Sequence, residues 1–199
     1  MKQILLLWFL TLGFFCAIGS SSDSYVSAQT APDADEFLVY KAILQGFIRK
    51  ETKRLVIKKQ TSTVSENFAS FFGEGLPNIL PPLLKETVDD FSSRNQKSAT
   101  LTNKFDLNVK INFVGEEINK LFENNAVGGK DGWKIFNKKY PNANGIIEVS
   151  RVGFNKSKTQ ALISLGQSCG WLCGNGSFRL LTKKNNKWEI ENTYTTWNS

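Results

Sequence analysis

Residues 145–197 read GIIEVSRVGFNKSKTQALISLGQSCGWLCGNGSFRLLTKKNNKWEIENTYTTW. β-Branched, aromatic and other apolar side chains gather there in four runs, 146–154, 160–167, 177–184 and 187–197, with turn-forming residues between them. Asn185-Asn186 joins the last two runs and suits a two-residue hairpin, because asparagine tolerates the positive φ that such turns demand. Four strands joined this way make an antiparallel meander. Helical patterns fall mostly upstream of it, so the fold class expected is α+β: N-terminal helices packed on one face of a twisted antiparallel sheet that ends in a four-strand meander.

Working back from the meander, residues 104–114 alternate, with Phe105, Leu107, Val109, Ile111 and Phe113 against Lys104, Asp106, Asn108, Lys110 and Asn112. That pattern predicts a half-buried strand. Residues 54–60 predict another, with Leu55 and Ile57 on one side and Val56 on the other. Helices are expected over 37–48, capped by Asp33 or Asp35, and from Pro81-Pro82 onward, with Leu84, Val88 and Phe91 as the buried stripe. Two shorter ones are expected at 115–124 and 133–140. Residues 68–84 are different: Phe68, Phe71, Phe72, Leu76, Ile79 and Leu80 stand among Gly73, Gly75, Pro77, Pro81 and Pro82. Glycine and proline keep this apolar segment from being one regular element. It reads either as a loop that plugs the core or as a lid over a pocket.

The N-terminus has the three parts of an export signal: Lys2, an apolar run over 4–19 broken only by Thr11, and a small polar stretch leading to Val26-Ser27-Ala28. Cleavage is expected after Ala28, with cleavage near Gly19 as the alternative. The competing reading is a permanent anchor, but the apolar run is short for ~30 Å of hydrocarbon and no stop-transfer charges follow it. Residues 29–199 are then expected to be one globular domain, secreted or periplasmic, with no stable membrane span. Lysine and arginine number 25 against 18 acidic residues, a net charge of +7. Lys2 and Asp23 cancel, so removing the signal leaves that balance unchanged. Basicity outside the cytoplasm favours anionic envelope surfaces over nucleic acid as a partner. The densest basic run, residues 49–59, reads first as a solvated face.

The chain contains no histidine. Ser-His-Asp and Cys-His nucleophiles, histidine acid–base work and histidine-ligated zinc are therefore excluded. No phosphate-binding glycine loop is present, and no cofactor or metal is expected. Carboxylate, lysine, tyrosine or thiolate chemistry is left. Asp89-Asp90 and Glu116-Glu117 are adjacent residues that cannot share a helix face, and both read as solvated. Glu148 and Arg151, three residues apart in one strand, make either a carboxylate–guanidinium site or a surface ion pair.

Cys169 and Cys173 are expected to form a disulfide in an oxidising compartment. Closing so small a ring is worth about 2 kcal/mol, so its role is to shape a loop. Three residues separate the cysteines, where dithiol redox enzymes have two. The glycine-rich segment 169–176 reads as a tight loop between strands with Trp171 at its tip. That ring is either a recognition anchor or a lid folded over the core.

Ser150-Arg151-Val152-Gly153-Phe154-Asn155, then Ala161-Leu162, Cys169-Gly170, Cys173-Gly174-Asn175-Gly176 and Trp188 to Trp197 together resemble a recurring pattern of uncharacterised exported bacterial proteins. Trp133, Phe136, Tyr140-Pro141 and Gly145-Ile146-Ile147 belong to the same pattern. The resemblance implies a shared fold unit and a bacterial source, and no reaction. By fold analogy alone, helices against a curved sheet are similar to cystatin-like or NTF2-like cones.

The reading adopted is a non-catalytic binding domain of the cell envelope or extracellular space, with Arg151, Trp171, Glu148 and Phe72 as binding residues. Its partner would be an envelope or extracellular protein, or an anionic polymer. The alternative is a hydrolase or lyase that uses Glu148, Arg151 and Tyr140 without histidine or metal. A third reading is electrostatic adhesion through residues 49–59.

Overall fold

The structure, a computed structural model, describes residues 31–64, 83–123 and 130–199. Residues 1–28, where an export signal is expected, Phe72 and most of the apolar segment 68–84 lie outside the described residues. The first element is α1 (Ala34–Gln45), and Asp33 is its N-cap. The Asp33 carboxylate accepts from the Glu36 N–H at 3.0 Å, and the Glu36 side chain accepts from the Asp33 N–H at 3.2 Å. This reciprocal capping box satisfies two otherwise orphaned donors. Phe37, Tyr40, Ile43 and Leu44 then recur at helical spacing and are buried.

The chain continues through β1 (Arg54–Lys58), α2 (Lys85–Arg94), β2 (Lys110–Val114), a 3-10 turn (Glu116–Ile118), α3 (Lys120–Glu123) and α4 (Lys130–Lys139). It ends with β3 (Ala143–Val149), β4 (Gly153–Phe154), β5 (Gln160–Gly170), β6 (Cys173–Lys184) and β7 (Lys187–Asn198). The fold is α+β. The described residues form one sheet of order β2-β1-β3-β5-β6-β7, with the short β4 also paired to β5. Strands β3, β5, β6 and β7 form the expected antiparallel meander. Asn185 and Asn186 turn the last hairpin with φ of 50° and 60°.

The sheet is mixed, however, where a wholly antiparallel one was expected. β1 runs parallel to both β2 and β3. Parallel neighbours need long crossovers, and α2 lies between β1 and β2 while α3 and α4 lie between β2 and β3. Helices also cover both faces of the sheet, where one face was expected. Leu55, Ile57, Ile147, Ile163, Leu165 and Leu181 pack with α1, whereas Leu162, Phe178 and Leu180 pack with Val88 and Phe91 of α2. Val56 and Ile146 join Phe136 of α4 on the α2 side. Strands that carry apolar side chains on both faces need two helical layers.

Three local departures have physical causes. The alternation over 104–114 becomes a strand only in its last five residues, because Asp106 takes φ 49° and its carboxylate is held at 2.5 Å by Lys41 of α1. Phe105 still reaches the core, from irregular chain. The expected strand 146–154 is broken into β3 and β4. Val149 pairs with Leu165 and Gly153 with Leu162, so one extra residue is accommodated at 150–152. In α2, Leu84 is the exposed N-cap and Leu83 takes the buried place intended for it.

Gly153 sits where α2 crosses this bulge. A Cβ there would come within 2.4 Å of the Phe91 backbone. Gly153→Ala must push α2 away from the sheet, and a loss of about 1–3 kcal/mol in unfolding free energy is expected in urea titration.

Candidate functional site

Arg151 does not face Glu148. The bulge turns it into the protein, where its Nη2 donates to Glu36 Oε1 at 2.5 Å and its Nε to Glu36 Oε2 at 3.3 Å. Glu36 is fully buried and also accepts from the Val152 N–H at 3.0 Å and from Arg94 Nη1 at 3.2 Å. Arg94 in turn binds Asp33 at 3.3 Å and Asp90 at 2.8 Å. The Tyr40 hydroxyl donates to the Ser150 carbonyl at 3.0 Å, and burial, then the adjacent Glu36 charge, raises its pKa far above 10.0. Asn95 substitutes for a missing strand partner at the bulge: its Oδ1 accepts from the Arg151 N–H and its Nδ2 donates to the Arg151 carbonyl.

Every part of this cluster is satisfied by another part, so it reads as a structural clasp. Asp90, read as solvated, accepts the Phe154 N–H at 2.7 Å and belongs to it. The sequence signal that was missed is the Asp-x-x-Glu spacing at 33–36, a capping-box signature whose glutamate has a second task.

Glu148 lies on the α2 side of the sheet and pairs with Lys58 at 3.1 Å. Tyr140 is buried against Phe136, with ring centroids 5.2 Å apart. The three residues assigned to carboxylate chemistry thus occupy three separate environments. Asn155 fixes the turn before β5, its Oδ1 accepting from the Thr159 and Gln160 N–H groups.

The segment 169–176 is strand more than loop. β5 and β6 run through both cysteines and leave only Trp171-Leu172 as a two-residue tip. The Cys169–Cys173 disulfide spans the hairpin behind it, with the Cα atoms 5.0 Å apart. Trp171 and Leu172 are 44% and 70% exposed, so Trp171 does not fold back over the core. Trp197 of β7, 45% exposed, lies near the same end. It pairs with Gly176, where a Cβ would come 2.0 Å from its Nε1. Gly166 and Gly174 also border its ring, so glycines that read as loop residues are the bed of a tryptophan. Beside it, a groove of about 300 Å³ is lined by Trp197, Trp133, Phe122 and the Lys58–Glu148 pair, and reaches Gly170 and Cys173.

Among the described residues no group of histidine, cysteine and carboxylate side chains could hold a metal ion, and no helix is long and apolar enough to cross a membrane. Compared with protein-family models, with curated proteins and with solved structures, the chain matches none.

Removing one partner of a buried, hydrogen-bonded ion pair leaves the other uncompensated. Glu36→Gln is expected to lower the unfolding free energy by about 3–5 kcal/mol in urea titration. Asp33 adds a pH dependence. Burial raises its pKa, but the Glu36 N–H and Arg94 outweigh that and hold it below 3.8. The stabilisation is therefore complete above the unfolded-state value and is lost as pH falls through the lower folded-state value. Urea midpoints measured downward from pH 4 should fall less steeply in Asp33→Asn than in the wild type.

Proposed function

We propose that this chain is an exported, non-catalytic binding domain that recognises a protein of the cell envelope or extracellular space through the disulfide-braced end of its sheet. The observation that carries the proposal is the exposure of Trp171 and Leu172 at the two-residue tip of a cross-linked hairpin and of Trp197 on the strand beside it. Large apolar side chains on rigid strands lose little conformational freedom on binding, and such residues dominate interface energetics. The groove with Phe122 and Trp133 extends this surface along the sheet.

Export is supported by the tripartite N-terminal signal and by a disulfide of the kind that persists in oxidising compartments. The hydrolase or lyase alternative has no shared site to act from, since Glu148 and Arg151 sit in separate ion pairs. Phe72 belongs to the reading only as an expectation from sequence. The analogy to cystatin-like or NTF2-like cones concerns helix-on-sheet architecture and carries no activity.

The test is binding of purified residues 29–199 to isolated envelopes of the source organism, before and after protease treatment of the envelopes. Saturable binding that protease abolishes, and that Trp171→Ala weakens about tenfold while melting at the wild-type temperature, is the expected result. Equal binding by Trp171→Ala would remove the hairpin tip from the proposal. Binding that survives protease but vanishes at high salt would point instead to an anionic polymer held by residues 49–59.

A further inference from the structure

On the α1 side of the sheet, a cleft of about 590 Å³ opens between the C-terminal end of α1 and the strands that run to the disulfide. Ile43 and Phe47 form its apolar wall, Arg49 stands at its exposed rim, and Asn175 and Arg179 contribute from β6. Both charged residues that line it are arginines, and no acidic side chain does.

Arg179 is placed there by strand geometry. Along β6, Phe178 and Leu180 pack with α2 and Leu181 with α1, so the alternation turns Arg179 toward the α1 side. Its Nε is buried and has no hydrogen-bond partner. Burial alone acts on the guanidinium, pulling its pKa below the usual arginine value, with no carboxylate charge opposing the shift. Two amides in the cleft wall are already committed. Gln167 Nε2 donates to the Asn144 carbonyl at 2.6 Å, and Asn144 Nδ2 donates to the Phe47 carbonyl and to Thr52 Oγ1, each at 2.8 Å. They hold the end of α1 and the strands in register around the cleft that Arg179 lines, and the enclosed Nε of its guanidinium has no acceptor from the protein.

A half-buried guanidinium without an acceptor is a cost to the folded state. Arg94 and Arg151 meet carboxylates, whereas Arg54 of β1 shares with Arg179 a buried Nε without a partner but does not line the cleft. The geometry points to a binding site for a small organic anion whose carboxylate or phosphate group accepts from Arg179 and whose apolar body lies against Ile43 and Phe47. A planar guanidinium matches either oxyanion. The volume suits a small molecule, with an apolar wall and few polar anchors. Arg49 at the rim adds longer-range attraction. This site is independent of the hairpin-tip reading, since neither Trp171 nor Trp197 lines it.

The test is a ¹H–¹⁵N NMR titration of residues 29–199 with three probes: inorganic phosphate, hexyl phosphate and hexanoate. The expected result is saturable binding that shifts the Arg179 Nε–H resonance, with at least one six-carbon probe about tenfold tighter than inorganic phosphate. The tighter of the two identifies the headgroup. Arg179→Gln should weaken that probe about tenfold or more, and Arg49→Gln only about two- to threefold. Because the Arg179 resonance is read in the unaltered protein, the outcome does not depend on how a variant folds. Linear, unsaturated shifts spread over surface lysines would overturn the proposal, as would saturation that leaves the Arg179 resonance in place.

Discussion

The Glu36 carboxylate accepts hydrogen bonds from α1's own N-cap, from Arg151 and Val152 at the β3–β4 bulge, and from Arg94 of α2. α1 and α2 lie on opposite faces of the sheet, so these contacts join the two helical layers where the short β4 leaves room. A buried charge of this kind is tolerable only when every lone pair is used, and that requirement fixes how each piece sits relative to the others. The bulge has to turn Arg151 inward, Asn95 has to stand in for a strand, and Gly153 has to lack a side chain.

Much of the architecture was legible because it depends on neighbours in sequence. Apolar runs between turn residues marked β5, β6 and β7, Asn185-Asn186 marked their last turn, and Asp33, one of two candidate caps, marked the start of α1. What escaped depends on partners far along the chain. Strand direction in β1 follows from which crossover helix returns the chain beside it, and alternation within a strand carries no such information. The pairing of Arg151 with Glu36 spans 115 positions, while Glu148 was only three away. Proximity in sequence favoured the wrong carboxylate. Residues 104–114 show the same limit: the apolar positions were right, but Asp106 takes a positive φ that no strand allows, beside its ion pair to α1.

The candidate surface was partly readable for similar reasons. Two cysteines separated by three residues announced a small ring and put Trp171 at its tip. The bed of glycines under Trp197 was not readable, because Gly166, Gly174 and Gly176 come together with it only across two ladders of hydrogen bonds. Arg179 carried a faint signal, a lone charge in the apolar run 178–181. Its significance depends on the α1-side cleft, one wall of which comes from residues 43–49, more than a hundred positions away.

β7 is twelve residues long and, among the described residues, stands last in the strand order. A strand in that place offers a row of backbone donors and acceptors to any other chain that drifts past, the usual route to runaway association. Two irregularities interrupt the row: Leu180 and Leu181 pair with Asn192 and Ile190, and Gly176 and Ser177 with Trp197 and Thr195, so Glu191 and Thr196 are left over. The outer rim is thereby cut into runs of about four residues, twisted relative to one another, with Lys187, Glu189 and Glu191 along the first half. In β7 the safeguard against stacking with its own copies is written into the strand that completes the sheet.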